Sequence, residues 1–238
     1  MKIDREKCIG CSLCTNYCPM SCIEMREGKA FIDQDECVEC GVCKSSNVCP
    51  VEAIYEPELD EMRNLRKAFS NPLISHSSTS VPGRGTEEMK TNDVTGRFKK
   101  GYTGIAAELG RPGTGTRFYD VQKVAQACAK HNVEFEPLNP VTAIMKDKKT
   151  GEIEDKYLQE KALSAIVEFF VSDEKIKEVL EELEKVSGEI ETVFSLDICG
   201  VTDDSGVPYF ERVLEEMGLA YSVNGKVNVG LGRPLAEV

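Results

Sequence analysis

Residues 8–19 read Cys8-Ile9-Gly10-Cys11-Ser12-Leu13-Cys14-Thr15-Asn16-Tyr17-Cys18-Pro19, and residues 37–50 read Cys37-Val38-Glu39-Cys40-Gly41-Val42-Cys43-Lys44-Ser45-Ser46-Asn47-Val48-Cys49-Pro50. Each run spaces three cysteines by two residues and follows them with a fourth cysteine and a proline. An offset of 29 residues superposes Ile3-Asp4 on Ile32-Asp33, and Cys8, Cys11 and Cys14 on Cys37, Cys40 and Cys43. The segment is therefore an internal repeat, and a proline after each fourth cysteine ends its turn.

Working outward, nine of the 11 cysteines fall between Cys8 and Cys49, and only Cys128 and Cys199 lie beyond. The chain has 238 residues, 41% hydrophobic and 29% charged, which means one large or two modest domains. Its 41 acidic residues against 29 basic ones leave a net charge of -12, which disfavours nucleic acid and anionic lipid as partners. Met1-Lys2-Ile3-Asp4 leads into charge rather than into an apolar signal region, and no stretch is long and apolar enough to span a bilayer. A cytoplasmic location is expected. Clustered thiols in such a reducing compartment are metal ligands more often than disulfides.

Three thiolates two residues apart curl a short loop around one metal cluster, and backbone N–H groups opened by Gly10 and Gly41 can point at its sulfurs. On these residues the segment 1–56 resembles a bacterial-type ferredoxin domain holding two [4Fe-4S] clusters. That resemblance implies crossed ligation: Cys8, Cys11, Cys14 and Cys49 for one cluster, and Cys37, Cys40, Cys43 and Cys18 for the other. The departure is the second run, where two extra residues in Ser45-Ser46-Asn47 lengthen the connector to Cys49. Zinc is the competing metal, but a third cysteine two residues on, twice over, is redundant for four-ligand zinc sites. Cys22 occupies the place that Ala53 holds in the second repeat, and small-residue packing is its expected role.

Beyond the repeat, Leu59, Met62, Leu65 and Phe69 recur at helical spacing within 56–70. Residues 70–100, rich in Ser, Gly and Pro with a basic second half, read as a linker. Residues 101–238 alternate strands and helices: strand 103–109, helix 117–131, a broken strand 133–145, strand 163–171, a helix from 173 to 186 capped by Ser172, and strand 191–199. A helix at 207–217 closed by Gly218 and a hairpin at 220–229 complete the series. The expected class is α+β. A ferredoxin-type unit (1–58) and a helix with linker (59–100) precede a two-layer α/β sandwich (101–238) of ACT-like or ferredoxin-like βαβ units.

Gly110-Arg111-Pro112-Gly113-Thr114-Gly115 sits between a strand and a helix, where a tight turn competes with an anion cradle centred on Arg111. Leu109-Gly110-Arg111-Pro112 returns as Leu231-Gly232-Arg233-Pro234, so two arginines in one sheet are candidates for a carboxylate or phosphate. His76 in the linker and His131 at a helix end form no catalytic constellation, and Cys128 and Cys199 read as buried thiols. The reading that follows is an iron–sulfur protein passing low-potential electrons to or from a partner oxidoreductase with a basic docking surface. The alternatives are the iron–sulfur subunit of an anaerobic multi-subunit oxidoreductase, or a ligand-sensing domain gating a redox domain.

Overall fold

A computed structural model describes residues 1–77, 80, 99–111 and 113–222. Residues 223–229 of the expected hairpin with its turn at Asn224-Gly225, Arg233, and most of the linker lie outside these residues. The N-terminal half-repeats build a small unit from β1 (Lys2–Ile3), β2 (Ile23–Arg26), β3 (Lys29–Ile32), α1 (Val42–Ser45) and β4 (Ile54–Tyr55). β1 pairs antiparallel with β4, tying the start of one half to the end of the other, while β2 and β3 form a hairpin. The offset seen in sequence is also a backbone symmetry. Asp4 N–H donates to Ala53 O at 2.8 Å as Asp33 N–H donates to Cys22 O at 2.9 Å, and Cys8 and Cys37 each donate to the aspartate carbonyl four residues back at 3.0 Å.

The helix expected from Glu56 begins later, as α2 (Glu61–Ser70), because Asp60 caps it by accepting from Arg63 N–H at 2.8 Å. Next come β5 (Tyr102–Leu109), β6 (Thr116–Arg117), α3 (Phe118–Ala129), β7 (Glu134–Phe135), α4 (Pro140–Ala143), β8 (Met145–Asp147), β9 (Glu152–Ile153), β10 (Lys161–Ala162), β11 (Ala165–Ser172), α5 (Ile176–Ser187), β12 (Phe194–Gly200) and α6 (Tyr209–Met217). Four strands form an antiparallel sheet in the order β12-β5-β11-β7. One face of it, with Ile105, Ala107, Leu109, Val167 and Phe169, joins Val121, Val124 and Cys128 of α3 and Val179, Leu180 and Leu183 of α5 in one core.

Further expectations are corrected in the α/β part. The broken strand 133–145 is a two-residue strand followed by α4, since Asn139 accepts from Val141 N–H at 2.8 Å and Pro140 suits the first helical position. Ser172 makes no side-chain cap, and 173–175 is a 3-10 turn that leads into α5. Gly218 does end α6 in the left-handed conformation, at φ 67°. Among the described residues no helix is long and apolar enough to cross a membrane.

α2 links the two parts. Its Phe69 is 2% exposed and meets Phe118 edge-on, with ring centroids 4.9 Å apart. Across the same contact, Arg117 donates to Asp35 and Glu36 at 2.8 Å each, Lys161 pairs with Glu36, and Arg66 pairs with Glu160. Ser70 Oγ accepts from Leu163 N–H at 2.9 Å. His76, expected in a solvated linker, is instead buried beside Phe69 at 5.3 Å, and burial holds its imidazole below the usual range.

Two outcomes follow. Phe118→Ala empties the centre of the larger core and should cost about 3–5 kcal/mol in urea unfolding. The hydrogen bond from Arg117 holds the Asp35 carboxyl below its ordinary value of 3.8. The stability this adds is complete above that value and is lost as pH falls through the lowered one. Acid titration of folding should therefore flatten in Arg117→Ala, and an unchanged profile would contradict the contact.

Candidate metal centre

Each cysteine loop is shaped by left-handed residues in matching places. Gly10 (φ 75°) corresponds through the repeat to Glu39 (φ 57°), and Ser12 (φ 59°) to Gly41 (φ 74°). A Cβ at Gly10 would collide with the carbonyl oxygen of Gly28, so only glycine fits there. At Glu39 the strain of a left-handed residue is offset by side-chain contacts. Its carboxylate, 0% exposed, pairs with the Met1 amine and with Arg63, whose Nε donates at 2.9 Å. Arg63 and Arg66 also donate to the Cys37 carbonyl at 3.2 and 3.1 Å, and Arg66 to Asp35 O at 2.6 Å, fixing the turn that opens the second run. The repeat points to this device, since a glutamate stands where its counterpart is an obligatory glycine.

The fold gathers the eight motif cysteines into two groups of four. Cys8, Cys11, Cys14 and Cys49 line one cavity with an empty volume of about 320 Å³, walled by Ile3, Ile9, Val51 and Ile54. Cys18, Cys37, Cys40 and Cys43 line a second of about 300 Å³, walled by Met1, Met20, Ile23 and Ile32. Each group takes three thiols from one run and one from the other. Where the first run has the 3-10 segment Leu13–Tyr17, which contains Cys14, the second has α1, which contains Cys43, and left-handed Asn47 (φ 51°) follows it on the way to Cys49.

Backbone donors reach the sulfurs. Ala53 N–H lies 3.2 Å from Cys49 Sγ and Cys22 N–H 3.4 Å from Cys18 Sγ, which are equivalent contacts in the two halves, and Ala30 N–H lies 3.5 Å from Cys8 Sγ. Cys22 is buried on the wall of the second cavity with its sulfur 3.3 Å from that of Cys18. Its thiol hydrogen bonds lower Cys18 and Cys37 to about 6, while its own thiol is pushed up. Burial raises Cys14 and Cys40 and pushes Cys43 up to about 12. Among the described residues no Lys or Arg side chain lines either cavity, though Lys29 reaches the Cys8 carbonyl and Arg63 and Arg66 the Cys37 carbonyl, and a cationic core between the sulfurs would favour their thiolate form. Among the described residues no three His, Cys, Asp or Glu side chains are arranged to hold a single metal ion. The cysteine groups surround volumes rather than points, which suits a cluster.

Other candidates are placed differently. The loop after β5 is a tight turn: Thr114 and Gly115 N–H both donate to Gly110 O at 3.1 Å, and Arg111 pairs with Glu108. Two amides an anion cradle would use are thus engaged within the turn. Cys128 is fully buried and its thiol raised by burial, whereas Cys199 lies half-buried on the sheet face opposite the core. His131 lies beyond the end of α3, 3.5 Å from Glu178.

The family described as a 4Fe-4S dicluster domain matches residues 7–59. Ferredoxin 7Fe of Hydrogenibacillus schlegelii is 44% identical over 55 residues, 22% of this chain and 68% of that protein. The pyruvate synthase subunit PorD of Methanothermobacter marburgensis is 42% identical over 52 residues, 22% of this chain and 58% of that subunit. The delta subunit of NADH-dependent phenylglyoxylate dehydrogenase of Aromatoleum evansii is 38% identical over 48 residues, 20% of this chain and 50% of that subunit. No solved structure matches the chain.

Replacing Glu39 by Gln should destabilise the N-terminal unit by about 3–5 kcal/mol, since it leaves the Met1 amine and Arg63 without their buried counter-charge. Chemical unfolding of the Glu39→Gln chain measures this, and a loss under about 1 kcal/mol would show the buried pair to be dispensable.

Proposed function

Because the chain belongs to the ferredoxin family through its 4Fe-4S dicluster segment, residues 7–59, we propose that it is a carrier of low-potential electrons to or from a partner oxidoreductase. The reading assigns one [4Fe-4S] cluster to Cys8, Cys11, Cys14 and Cys49 and a second to Cys37, Cys40, Cys43 and Cys18. The observation that carries it is the division of eight cysteines between two apolar cavities of nearly equal size. A bound cluster of this kind supplies reversible one-electron storage. The chain's own residues do the rest. Ala30, Ala53 and Cys22 direct N–H dipoles at ligand sulfurs, and Ile3, Ile23, Ile32 and Ile54 keep water from them.

Two clusters, each lowering the charge by two, take the chain from -12 to about -16, which favours a partner with a basic docking surface and salt-sensitive association. Residues 101–222 read as a two-layer split βαβ sandwich. In support, their four main strands, numbered in chain order, stand in the sheet as fourth, first, third and second, with α3 and α5 as the crossovers. A second reading, the iron–sulfur subunit of an anaerobic oxidoreductase, is favoured by the similarity to PorD and to the phenylglyoxylate dehydrogenase delta subunit.

Anaerobic purification should yield about eight iron and eight acid-labile sulfide per chain. Stoichiometric zinc without sulfide would overturn the proposal. Cys49→Ser should damage the cluster of the first run alone, as read by electron paramagnetic resonance of the reduced protein. Capture from the native cell separates the two readings: a salt-resistant complex of fixed ratio identifies a subunit, and recovery of the chain alone identifies a free carrier.

A further inference from the structure

The two cavities match in size and differ in surroundings. Around the first, Ile9 is 63% exposed, Leu13 is 49% exposed and Cys11 is open to solvent. Among the described residues, no hydrogen bond or ion pair joins a residue lining that cavity to any residue beyond 59. The second cavity faces the remainder of the chain. Met20, on its wall, seats its methyl against Gly115, where an added Cβ would stand 2.5 Å from Met20 Cε. Gly41, also on the wall, abuts the Asn71 amide just beyond α2. The turn leading into Cys37 is gripped from α2 by Arg63 and Arg66, and its Asp35 and Glu36 are gripped from beyond the linker by Arg117 and Lys161.

We infer that the C-terminal α/β part is a cover for the second cavity: it shields the cluster held by Cys18, Cys37, Cys40 and Cys43 and leaves the cluster held by Cys8, Cys11, Cys14 and Cys49 facing water. The inference rests on the cluster assignment proposed above. It gives the α/β part a role in this chain that needs no ligand of its own. It also makes the first cluster the one that external one-electron donors and acceptors meet.

Differential release tests it on the full holo-chain under anaerobic conditions. The chelator ferrozine extracts iron, iodoacetamide traps each thiol as it is freed, and peptide mapping dates the alkylation. Cys11 and Cys14 should label about tenfold or more faster than Cys40 and Cys43. Arg117→Glu, which sets a carboxylate against Asp35 and Glu36 away from either cavity, should speed labelling of Cys40 and Cys43 and leave Cys11 and Cys14 unchanged. Met20→Ala should do the same without touching the ion pairs, and Met20→Leu should preserve the native rates. Synchronous labelling of the two groups in the native chain, or variants that speed both groups alike or neither, would overturn the inference. A chain purified without iron and sulfide would fail the cluster assignment itself. A full complement with synchronous labelling would fail only the cover.

Discussion

Each cysteine cavity is completed by a thiol from the other half of the repeat, so neither run can build its site alone. Cys49 reaches back to the group begun at Cys8, and Cys18 reaches forward to the group begun at Cys37. The β1–β4 pairing joins the same two ends of the unit, Ile3 opposite Ile54. The unit is thereby committed to long-range contacts, whose loop-closure entropy has to be met by what sits inside the cavities. Apolar packing alone offers little, since the unit has few large side chains at its centre.

Electrostatics sharpen that constraint. Burial raises Cys14, Cys40 and Cys43 and opposes the thiolate form at those three donors, whereas the Cys22 thiol favours it at Cys18 and Cys37. A positively charged core reverses this balance, and binding it becomes part of the folding free energy. Glu39 poses the same problem for a carboxylate. An anion taken wholly out of water is tolerated because a backbone amine and a guanidinium close on it. The left-handed backbone at that position, which glycine would accept without strain, is thus stabilised through its side chain.

The N-terminal unit was legible because its information is local and doubled: cysteine spacing, Cys-Pro pairs and a repeat offset survive without any knowledge of packing. The extra residues Ser45-Ser46-Asn47 were legible as a connector for the same reason. Around the sheet, alternation of apolar residues located β5, β11 and β12 to within a few residues, since both flanks are punctuated by turns. Short elements escaped. The segment 133–145 reads as a broken strand, whereas Asn139 and Pro140 together begin a helical turn, a distinction that depends on one side-chain hydrogen bond. The partners of Arg63, Arg66 and Arg117 were invisible, because charged residues carry no period and their carboxylates lie up to 94 positions away. His76 was misplaced by composition: serine-rich neighbours suggested solvent, while Phe69 draws it inward.

The helix Glu61–Ser70 bears on how this chain can be taken apart. The recognisable cysteine segment ends at residue 59, yet Arg63 and Arg66 in the following turns hold the carbonyl of Cys37, and Phe69 in the same helix belongs to the other core. A cut at the family boundary would strip the second cysteine loop of its two guanidinium clasps. A cut after the helix would carry an unburied phenylalanine along. In modular terms the helix is a splice that neither part can surrender, so the motif is transplantable as a pattern of residues but not, at that border, as a self-contained piece of protein.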